Sequence, residues 1–407
     1  MSNSKSPQSA PDESATFNAP LQGLRVVDLS HVQAGPICAM MLADMGAEVV
    51  KIESLEGDMY REPIAGSFYQ NFNRNKRSIV LDLKTEEGKD VALGLVKGAD
   101  VFIENFIPGA VERLGLGYEV LRALNPALVY GSISGFGQDG PWVNRAAFDP
   151  AIQALSGLMD ATGEPGRPPV RTRAAMIDYC AGTTMAFAIV AALFRRARTG
   201  VGDYLDVALM DVGMYAMSPY MTFYKLRGVT LPRTGSAHPA TAPNQGFRVR
   251  DGYLYIAATS DRMWRDLCKV LGVPELAQDP RFATRSGRMK NARTLIDAVS
   301  PVIEKRDGSE LEAQLLAVGI PCGKVRTVAE VFDDPYVVSR GMLEPTRGWI
   351  GEDVQSMKTP IRLSGMSSPL RRPAPALGEH SVEVLRELGY SASQIDRLLA
   401  TQVVAQS

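Results

Sequence analysis

Short apolar runs alternate with helical patterns through the first half of the chain, and glycine or charged residues separate them. Runs this short and this rich in valine and isoleucine are typical of buried strands. The predicted strands are Arg25–Leu29, Glu48–Ile52, Ser78–Leu83, Asp100–Ile103 and Leu128–Ser134, and the predicted helices are Ile37–Met45, Glu86–Leu95 and Tyr118–Leu124. This alternation predicts an α/β fold in which a Rossmann-like large domain holds a mostly parallel sheet.

The second half of the chain changes character. The apolar stretch Ala181–Phe194 has fourteen residues, fewer than the roughly 20 that a membrane span needs, so it predicts a buried helix. A turn at Asp251–Gly252 and the patterns after it predict a small α+β domain. The further predicted elements are strands Tyr204–Met210 and Tyr253–Ala257 and helices Trp264–Leu271, Thr294–Lys305 and Val382–Leu388, with a last helix from Ser393.

These patterns predict five segments. The first, residues 1–20, is rich in serine and proline without an apolar core and is predicted to be a disordered leader. The others are the first part of the large domain (21–213), a connection (214–245), the small α+β domain (246–330), and a connection that returns to the large domain (331–407).

Composition narrows the possible partners. The 44 lysines and arginines balance 45 aspartates and glutamates, for a net charge of -1, so nothing in the charge favours nucleic acid or an anionic membrane. The four cysteines are widely spaced and predict reduced thiols in a cytoplasmic protein. The three histidines are scattered, so no metal site is predicted.

Carboxyl ends of parallel strands bind ligands, which directs attention to the loops after residues 29, 52, 103 and 134. The loop Ser30–Pro36 has one glycine where a dinucleotide fingerprint needs three, so NAD or FAD binding is not predicted. Asp178 stands at the mouth of the apolar helix. On the residues alone it is either an N-cap or a carboxylate nucleophile that the helix end keeps ionised.

Several collinear segments resemble the class III CoA-transferase family, which includes formyl-CoA transferase and L-carnitine CoA-transferase. The segments that carry this resemblance are LQGLRVVDLSHVQAGPICAMMLADMGAEVVKIE, NRNKRSIVLDLKTEEG, ADVFIENFIPGAVERLGLGYEVL, GSISGFGQDGP with FDPAIQALSGLM, GIPCGKV and PALGEHSVEVLRELGYS. The resemblance implies an interlocked, ring-shaped homodimer, with 214–224 and 337–365 as candidate connections between the domains. It also implies a coenzyme A thioester as substrate and no permanently bound cofactor.

The resemblance assigns roles residue by residue. Asp178 is implied as the nucleophile that attacks the thioester, and Gln33 as the amide that stabilises the oxyanion with the backbone of Ala34. The implied CoA contacts are His31, Val32, Ala34, Leu81, Asp82, Lys84, Asn105, Phe106 and Arg113. Formyl-CoA transferase has an arginine where this chain has Ser54, so a phosphate contact there is not expected.

The candidate residues for binding the acyl group are Phe148, Arg171, Arg173 and His238. Arg171 and Arg173 are candidate partners for the distal carboxylate of a succinyl-CoA-type donor. His238 lies in 234–240, a candidate lid that replaces the glycine-rich loop of formyl-CoA transferase. The expected reaction passes through acid anhydrides and an aspartyl-CoA thioester, with free carboxylic acid as acceptor.

Two alternatives stay open. A racemase of the same superfamily moves the α-proton of a 2-methylacyl-CoA with a histidine that precedes an aspartate; here Phe148 precedes Asp149 and cannot transfer a proton. A CoA-binding protein without catalysis would use Lys84 and Arg113 alone.

Overall fold

The computed structural model describes residues 19–62, 66–349, 351–363 and 370–407, and these form two compact units. The first unit holds the described residues up to Ser156, together with Arg173–Ala216 and Arg340–Ser407. The second holds Gly157–Thr172 and Met217–Ser339. The segment 157–172, predicted from the sequence to be part of the large domain, belongs to the second unit, where Arg233 pairs with Asp160 at 2.9 Å.

A seven-stranded sheet forms the centre of the described part of the first unit. Its parallel strands are β1 (Arg25–Asp28), β2 (Glu48–Glu53), β3 (Lys76–Leu81), β4 (Val101–Glu104), β5 (Val129–Ser134) and β6 (Asp203–Ala208). They lie in the order β3-β2-β1-β4-β5-β6, and the C-terminal strand Val404–Ala405 pairs antiparallel with β3 at one edge. The α/β fold with a mostly parallel sheet is therefore confirmed.

The strand order reverses at β1, which pairs with β2 on one side and β4 on the other. Chain connections leave in opposite directions on the two sides of such a point, which opens a crevice beyond the carboxyl ends of the strands. The loops after β1 and β4 begin at residues 29 and 105, so the crevice lies between them.

Helices cover both faces of this sheet. They are α1 (Ala34–Asp44), Gly66–Phe72, Glu86–Lys97, Ala110–Arg113, Tyr118–Leu124, Asp149–Leu155, Met176–Thr199, Leu209–Ala216, Ser381–Glu387 and Ala392–Ala400, with a 3₁₀ turn at Met59–Arg61. The tail returns to the sheet: the backbone amide of His380 donates to the carbonyl of Ser78 at 3.0 Å.

The long helix Met176–Thr199 packs along α1 and against β5 and β6. By length and composition it is apolar enough to cross a membrane, but one side lies in the core of this unit, as in many soluble proteins. Gly182 lies close against α1. A Cβ atom there would stand 2.6 Å from the carbonyl oxygen of Ala34 and 2.9 Å from Cγ2 of Ile37, so only glycine fits.

The second unit is a three-stranded antiparallel sheet with helices around one apolar core. Its strands are Asn244–Val249, Gly252–Ala257 and Cys322–Lys324; its helices are Leu158–Ala161, Ser218–Arg227, Asp261–Leu271, Arg285–Lys290, Ala292–Ile303, Gly308–Ala317 and Val328–Phe332, with a 3₁₀ turn at Pro274–Ala277. The helix Pro335–Arg340 ends at its boundary with the first unit.

Three segments differ from the sequence predictions. The predicted connection 214–245 contains the helix Ser218–Arg227, whose apolar side chains are not buried in this chain and so gave no amphipathic pattern. The tail 331–407 contains a hairpin, Leu343–Arg347 with Asp353–Met357. Most of the predicted leader lies outside the described residues, but Ala19 is buried where a Cβ at Gly46 would meet it.

Candidate active site

The loop that follows β1 is held rigidly at the point where the strand order reverses. The backbone amide of His31 donates to Oδ1 of Asn105 at 2.8 Å, and Nδ2 of Asn105 donates back to the carbonyl of His31 at 2.8 Å. The loop after β4 therefore fixes the loop after β1. Burial and the nearby charge of Lys51 lower the pKa of His31, which favours a neutral imidazole.

Gln33 ends this loop and begins α1. Its side chain is buried, and Nε2 donates to the hydroxyl of Tyr60 at 2.6 Å. Its carbonyl accepts the amide of Ile37 at 2.8 Å, the first hydrogen bond of the helix. Hydrogen bonds thus hold both the backbone and the side chain of Gln33 in place.

Asp178 lies in the first turn of the long helix and does not cap it. The N-cap position is Ala175, and the free amides of Ile177 and Asp178 donate to Oδ2 of Asp149 at 2.7 and 3.2 Å. The N-cap interpretation of Asp178 is therefore wrong, because Asp149, buried at the start of the earlier helix Asp149–Leu155, accepts these amides instead. The Asp178 carboxyl therefore makes no capping hydrogen bond to this helix.

The electrostatics at Asp178 also differ from the expectation that the helix end keeps it ionised. Burial and the neighbouring charge of Asp149 raise the pKa of Asp178 to about 7. A helix end favours a carboxylate by at most about 2 kcal/mol, and Asp149 already occupies the free amides there. Asp178 consequently titrates near neutral pH.

A cavity of about 440 Å³ opens above Asp178. It is lined by His31, Val32, Gln33, Ala34, Asn105, Phe106, Ile107, Pro108, Ala110, Arg113, Ile133, Ser134, Gly135, Arg145, Ala146, Ala147, Phe148, Asp178 and Leu209. The structure thus brings Gln33, the predicted oxyanion donor, into one cavity with Asp178, the predicted nucleophile.

A second cavity, of about 450 Å³, adjoins the first, because His31 and Phe106 line both. The rings of these two residues lie 4.8 Å apart. Leu81, Asp82, Lys84 and Ser54 line the second cavity as well, and the exposed Lys84 has no carboxylate partner among the described residues. Every predicted CoA contact therefore lines one of the two cavities.

Three predicted substrate residues are not among those that line the two cavities. Arg171 and His238 belong to the second unit. Nδ1 of His238 accepts the amide of Ala240 at 3.1 Å, so this ring supports the local turn within 234–240. Arg173 is in the first unit but does not line either cavity.

Sequence reasoning missed Arg145. It lines the cavity of Asp178, and its guanidinium carbon lies 5.1 Å from the ring of Trp142 and 5.5 Å from that of Phe136. Among the residues that the structure describes, no carboxylate pairs with it. Arg145 lies in a polar loop, so no helix or strand period pointed to it. A signal that could have found it is its place between Trp142 and Phe148 in the sequence.

Histidine, cysteine and carboxylate side chains of the described ranges are the groups that could hold a metal ion. No group of three or more histidine, cysteine, aspartate or glutamate side chains there is arranged to hold a metal ion. The four cysteines are unpaired, and burial raises the pKa of Cys38 far above its usual range.

Comparison with known proteins identifies the family. A sequence profile of CoA-transferase family III matches residues 21–381. The chain is 39% identical to succinate–glutarate CoA-transferase of Agrobacterium fabrum, covering 91% of this chain and 96% of that one. It is 37% identical to succinyl-CoA:mesaconate CoA-transferase of Haloarcula hispanica, covering 91% and 96%. A solved CAIB/BAIF family protein from Brucella suis is 41% identical, covering 91% of this chain and all of that one, with a TM-score of 0.84. The chain therefore belongs to CoA-transferase family III, a family of enzymes that transfer CoA between carboxylic acids.

Proposed function

We propose that this enzyme moves CoA from a succinyl-CoA-type donor to a free dicarboxylic acid, with Asp178 as the nucleophile. The observation that carries the proposal is the placement of Asp178 and Gln33 in one cavity, beside a second cavity that holds Lys84. The Agrobacterium and Haloarcula relatives are named for succinate, glutarate and mesaconate, all dicarboxylic acids.

The first half-reaction transfers CoA to the enzyme. The Asp178 carboxylate attacks the thioester carbonyl, and the carbon–sulfur bond breaks to give a mixed anhydride and a CoA thiolate. The thiolate then attacks the aspartyl carbonyl of the anhydride. The donor leaves as a free carboxylate, and CoA is held as a thioester on Asp178.

The second half-reaction reverses these steps with another acid. The acceptor carboxylate attacks the aspartyl thioester, which gives a second anhydride and CoA thiolate. The thiolate attacks the acceptor carbonyl, which releases the new acyl-CoA and regenerates the Asp178 carboxylate. Each step exchanges one activated carboxyl for another, so the cycle balances without an external energy source.

Gln33 and Ala34 support these steps by stabilising negative charge. Each attack places that charge on a carbonyl oxygen, and fixed donors in a site of low dielectric lower the energy of such a state most effectively. The buried amide of Gln33 and the backbone amide of Ala34 are the proposed donors.

Arg145 is proposed as the partner of the distal carboxylate of the acyl group. A planar guanidinium binds a carboxylate through two parallel hydrogen bonds, and the Trp142 and Phe136 rings support this one at the cavity wall. Arg173 remains a second proposed partner, and Arg171, His238 and the lid 234–240 remain proposals from the second unit.

We further propose a homodimer and a cytoplasmic location. The long helix leaves Phe187 at 75% and Phe194 at 67% exposure in the single chain, and Tyr215, which lines one groove with Phe187, is 84% exposed. Exposed aromatic rings on one helix favour burial against a partner. A second copy is the partner that the interlocked family architecture implies.

A donor and acceptor screen tests the proposal. Purified protein is incubated with succinyl-CoA, acetyl-CoA or butyryl-CoA and with glutarate, mesaconate, oxalate or butyrate, and new acyl-CoA is measured by mass spectrometry. Transfer from succinyl-CoA to a dicarboxylic acid is expected. Exclusive use of monocarboxylic substrates, or exchange of the α-proton of 2-methylacyl-CoA at the rate of turnover, would overturn it.

A further inference from the structure

A buried ion pair lies beneath the loop that carries Gln33. Nζ of Lys51 is 3.2 Å from Oδ2 of Asp58, and each side chain is 1% exposed. Burial alone would lower the pKa of Lys51, but Asp58 and Asp28 beside it raise that pKa. Burial would raise the pKa of Asp58, but Lys51 and the amide of Tyr60 lower it. Both groups therefore stay charged at neutral pH.

This ion pair holds the backbone of the loop on both sides of His31. Nζ of Lys51 donates to the carbonyl of Ser30 at 2.6 Å. Oδ2 of Asp58 accepts the amide of Val32 at 3.3 Å. An ion pair whose two members each bind the same loop defines its conformation more tightly than either hydrogen bond alone.

Val32 needs such support, because its φ angle is 67°. A β-branched residue rarely adopts this left-handed region, and the conformation costs on the order of 1–3 kcal/mol. The surrounding contacts must offset that cost. Without the acceptor at Asp58, residue 32 is free to relax toward negative φ, which would rotate the following peptide and displace Gln33.

Asp58 also controls the side chain of Gln33. Its Oδ1 accepts the amide of Tyr60 at 3.0 Å and so caps the 3₁₀ turn that carries this tyrosine. The Tyr60 hydroxyl in turn accepts Nε2 of Gln33 at 2.6 Å. The ring of Tyr60 is held in place by that of Phe68, with centroids 5.2 Å apart.

We propose that Asp58 and Tyr60 form one positioning unit for Gln33, in which Asp58 fixes the backbone through Val32 and Tyr60 fixes the side-chain amide. This inference rests on the proposed role of Gln33 in CoA transfer. Neither residue touches the reacting atoms. Their effect on the reaction passes through Gln33, and it should therefore vanish when Gln33 is absent.

A double-mutant cycle tests that dependence. Asp58→Asn keeps the shape of the side chain but removes its charge, and it should lower kcat by roughly 10- to 100-fold, less than or equal to the effect of losing an oxyanion donor. The dissociation constant for CoA should change by less than about 3-fold. In the Gln33→Ala background, Asp58→Asn should change kcat by less than about 2-fold.

Asp44→Asn is the matched control. Asp44 is a similarly buried carboxylate at the end of α1 opposite to Gln33. Its Oδ2 lies 2.5 Å from Nη2 of Arg74. Its loss should lower the melting temperature and leave kcat within about 2-fold. A purely structural role for Asp58 would give the same pattern as this control.

Tyr60→Phe is the second variant, and it keeps the test open if Asp58→Asn does not fold. It removes only the acceptor of the Gln33 amide, and it should lower kcat without further effect in the Gln33→Ala background. Equal losses of kcat with and without Gln33 would overturn the inference, as would unchanged kcat in both single variants. A wild-type protein without transfer activity would instead overturn the proposed function.

Discussion

Asp149 accepts the backbone amide of Asp178 at 3.2 Å, so a buried carboxylate occupies the helix end beside the proposed nucleophile. The same oxygen accepts the amide of Ile177 at 2.7 Å, and the other accepts Nε2 of Gln153 at 2.5 Å. Asp149 therefore orients the first turn of the helix and places a like charge near Asp178. The orientation of this turn and the nearby negative charge both affect the reactivity of the Asp178 carboxylate.

The pH dependence of the reaction rate should reveal the effect of Asp149 on Asp178. Because burial and Asp149 raise the pKa of Asp178 to about 7, and only the carboxylate attacks, the rate of enzyme acylation should rise with pH through about 7 and then level off. Asp149→Asn keeps an acceptor oxygen but removes the charge, so the midpoint should move to lower pH. Single-turnover rates with succinyl-CoA between pH 5 and 9 measure both profiles. A midpoint that does not move in the variant would contradict this role of Asp149.

Gly182→Ala should separate the helices that carry Gln33 and Asp178. The new Cβ would stand 2.6 Å from the Ala34 carbonyl, and relief of that overlap should cost about 1–3 kcal/mol of unfolding free energy and lower kcat. Urea denaturation and steady-state kinetics measure the two effects.

Gly94→Ala is the matched control for that substitution. It also lies in a helix of the first unit, but its nearest atom to a new Cβ is 3.8 Å away, on Leu388. It should be neutral or stabilising by up to about 1 kcal/mol. Equal behaviour of the two variants would contradict the close approach at Gly182.

Arg145→Gln should raise the KM for dicarboxylic acceptors by about 10-fold or more, because a charge-assisted pair with the distal carboxylate is lost. The KM for a monocarboxylic acid such as butyrate should change little. Arg122→Gln, at an exposed arginine whose nearest carboxylate is 3.9 Å away on Glu119, serves as control. An equal rise in KM for both classes of acid would contradict the role of Arg145.

Phe187→Asp should prevent the proposed homodimer from assembling, since Phe187 is the most exposed aromatic ring of the long helix. Light scattering should give about twice the chain mass of 44.1 kDa for the wild type and a lower mass for the variant. Val120→Asp, at an exposed position on another helix, should remain dimeric. A wild-type protein that is monomeric at micromolar concentration would contradict the proposal.

The sequence allowed the sheet to be predicted because most of its parallel strands are buried on both faces, which leaves short apolar runs such as Val101–Ile103. Family resemblance singled out Asp178 and Gln33, which line one cavity, and their catalytic roles stay predictions. The helix Ser218–Arg227 could not, because its apolar side chains are exposed in the single chain and follow no core-facing period.

The capping role of Asp149 and the positioning roles of Asp58 and Tyr60 were not predictable either. Asp149 and Asp178 are 29 residues apart, and Gln33 and Tyr60 are 27 apart. Contacts of this range depend on how helices and loops meet after folding, and no spacing rule of a helix or strand encodes them. The rise in the pKa of Asp178 follows from its burial and from the charge of Asp149, and both arise only when the chain folds.

The most direct test follows an oxygen atom. With succinyl-CoA and an acceptor acid labelled with ¹⁸O in its carboxylates, the second anhydride should leave one acceptor oxygen on the enzyme when the thiolate attacks the acceptor carbonyl. The peptide that contains Asp178 should therefore gain about 2 Da per labelled oxygen, and Asp178→Asn should abolish both label and turnover. Turnover that leaves this peptide unlabelled, or label on a different residue, would contradict Asp178 as the nucleophile.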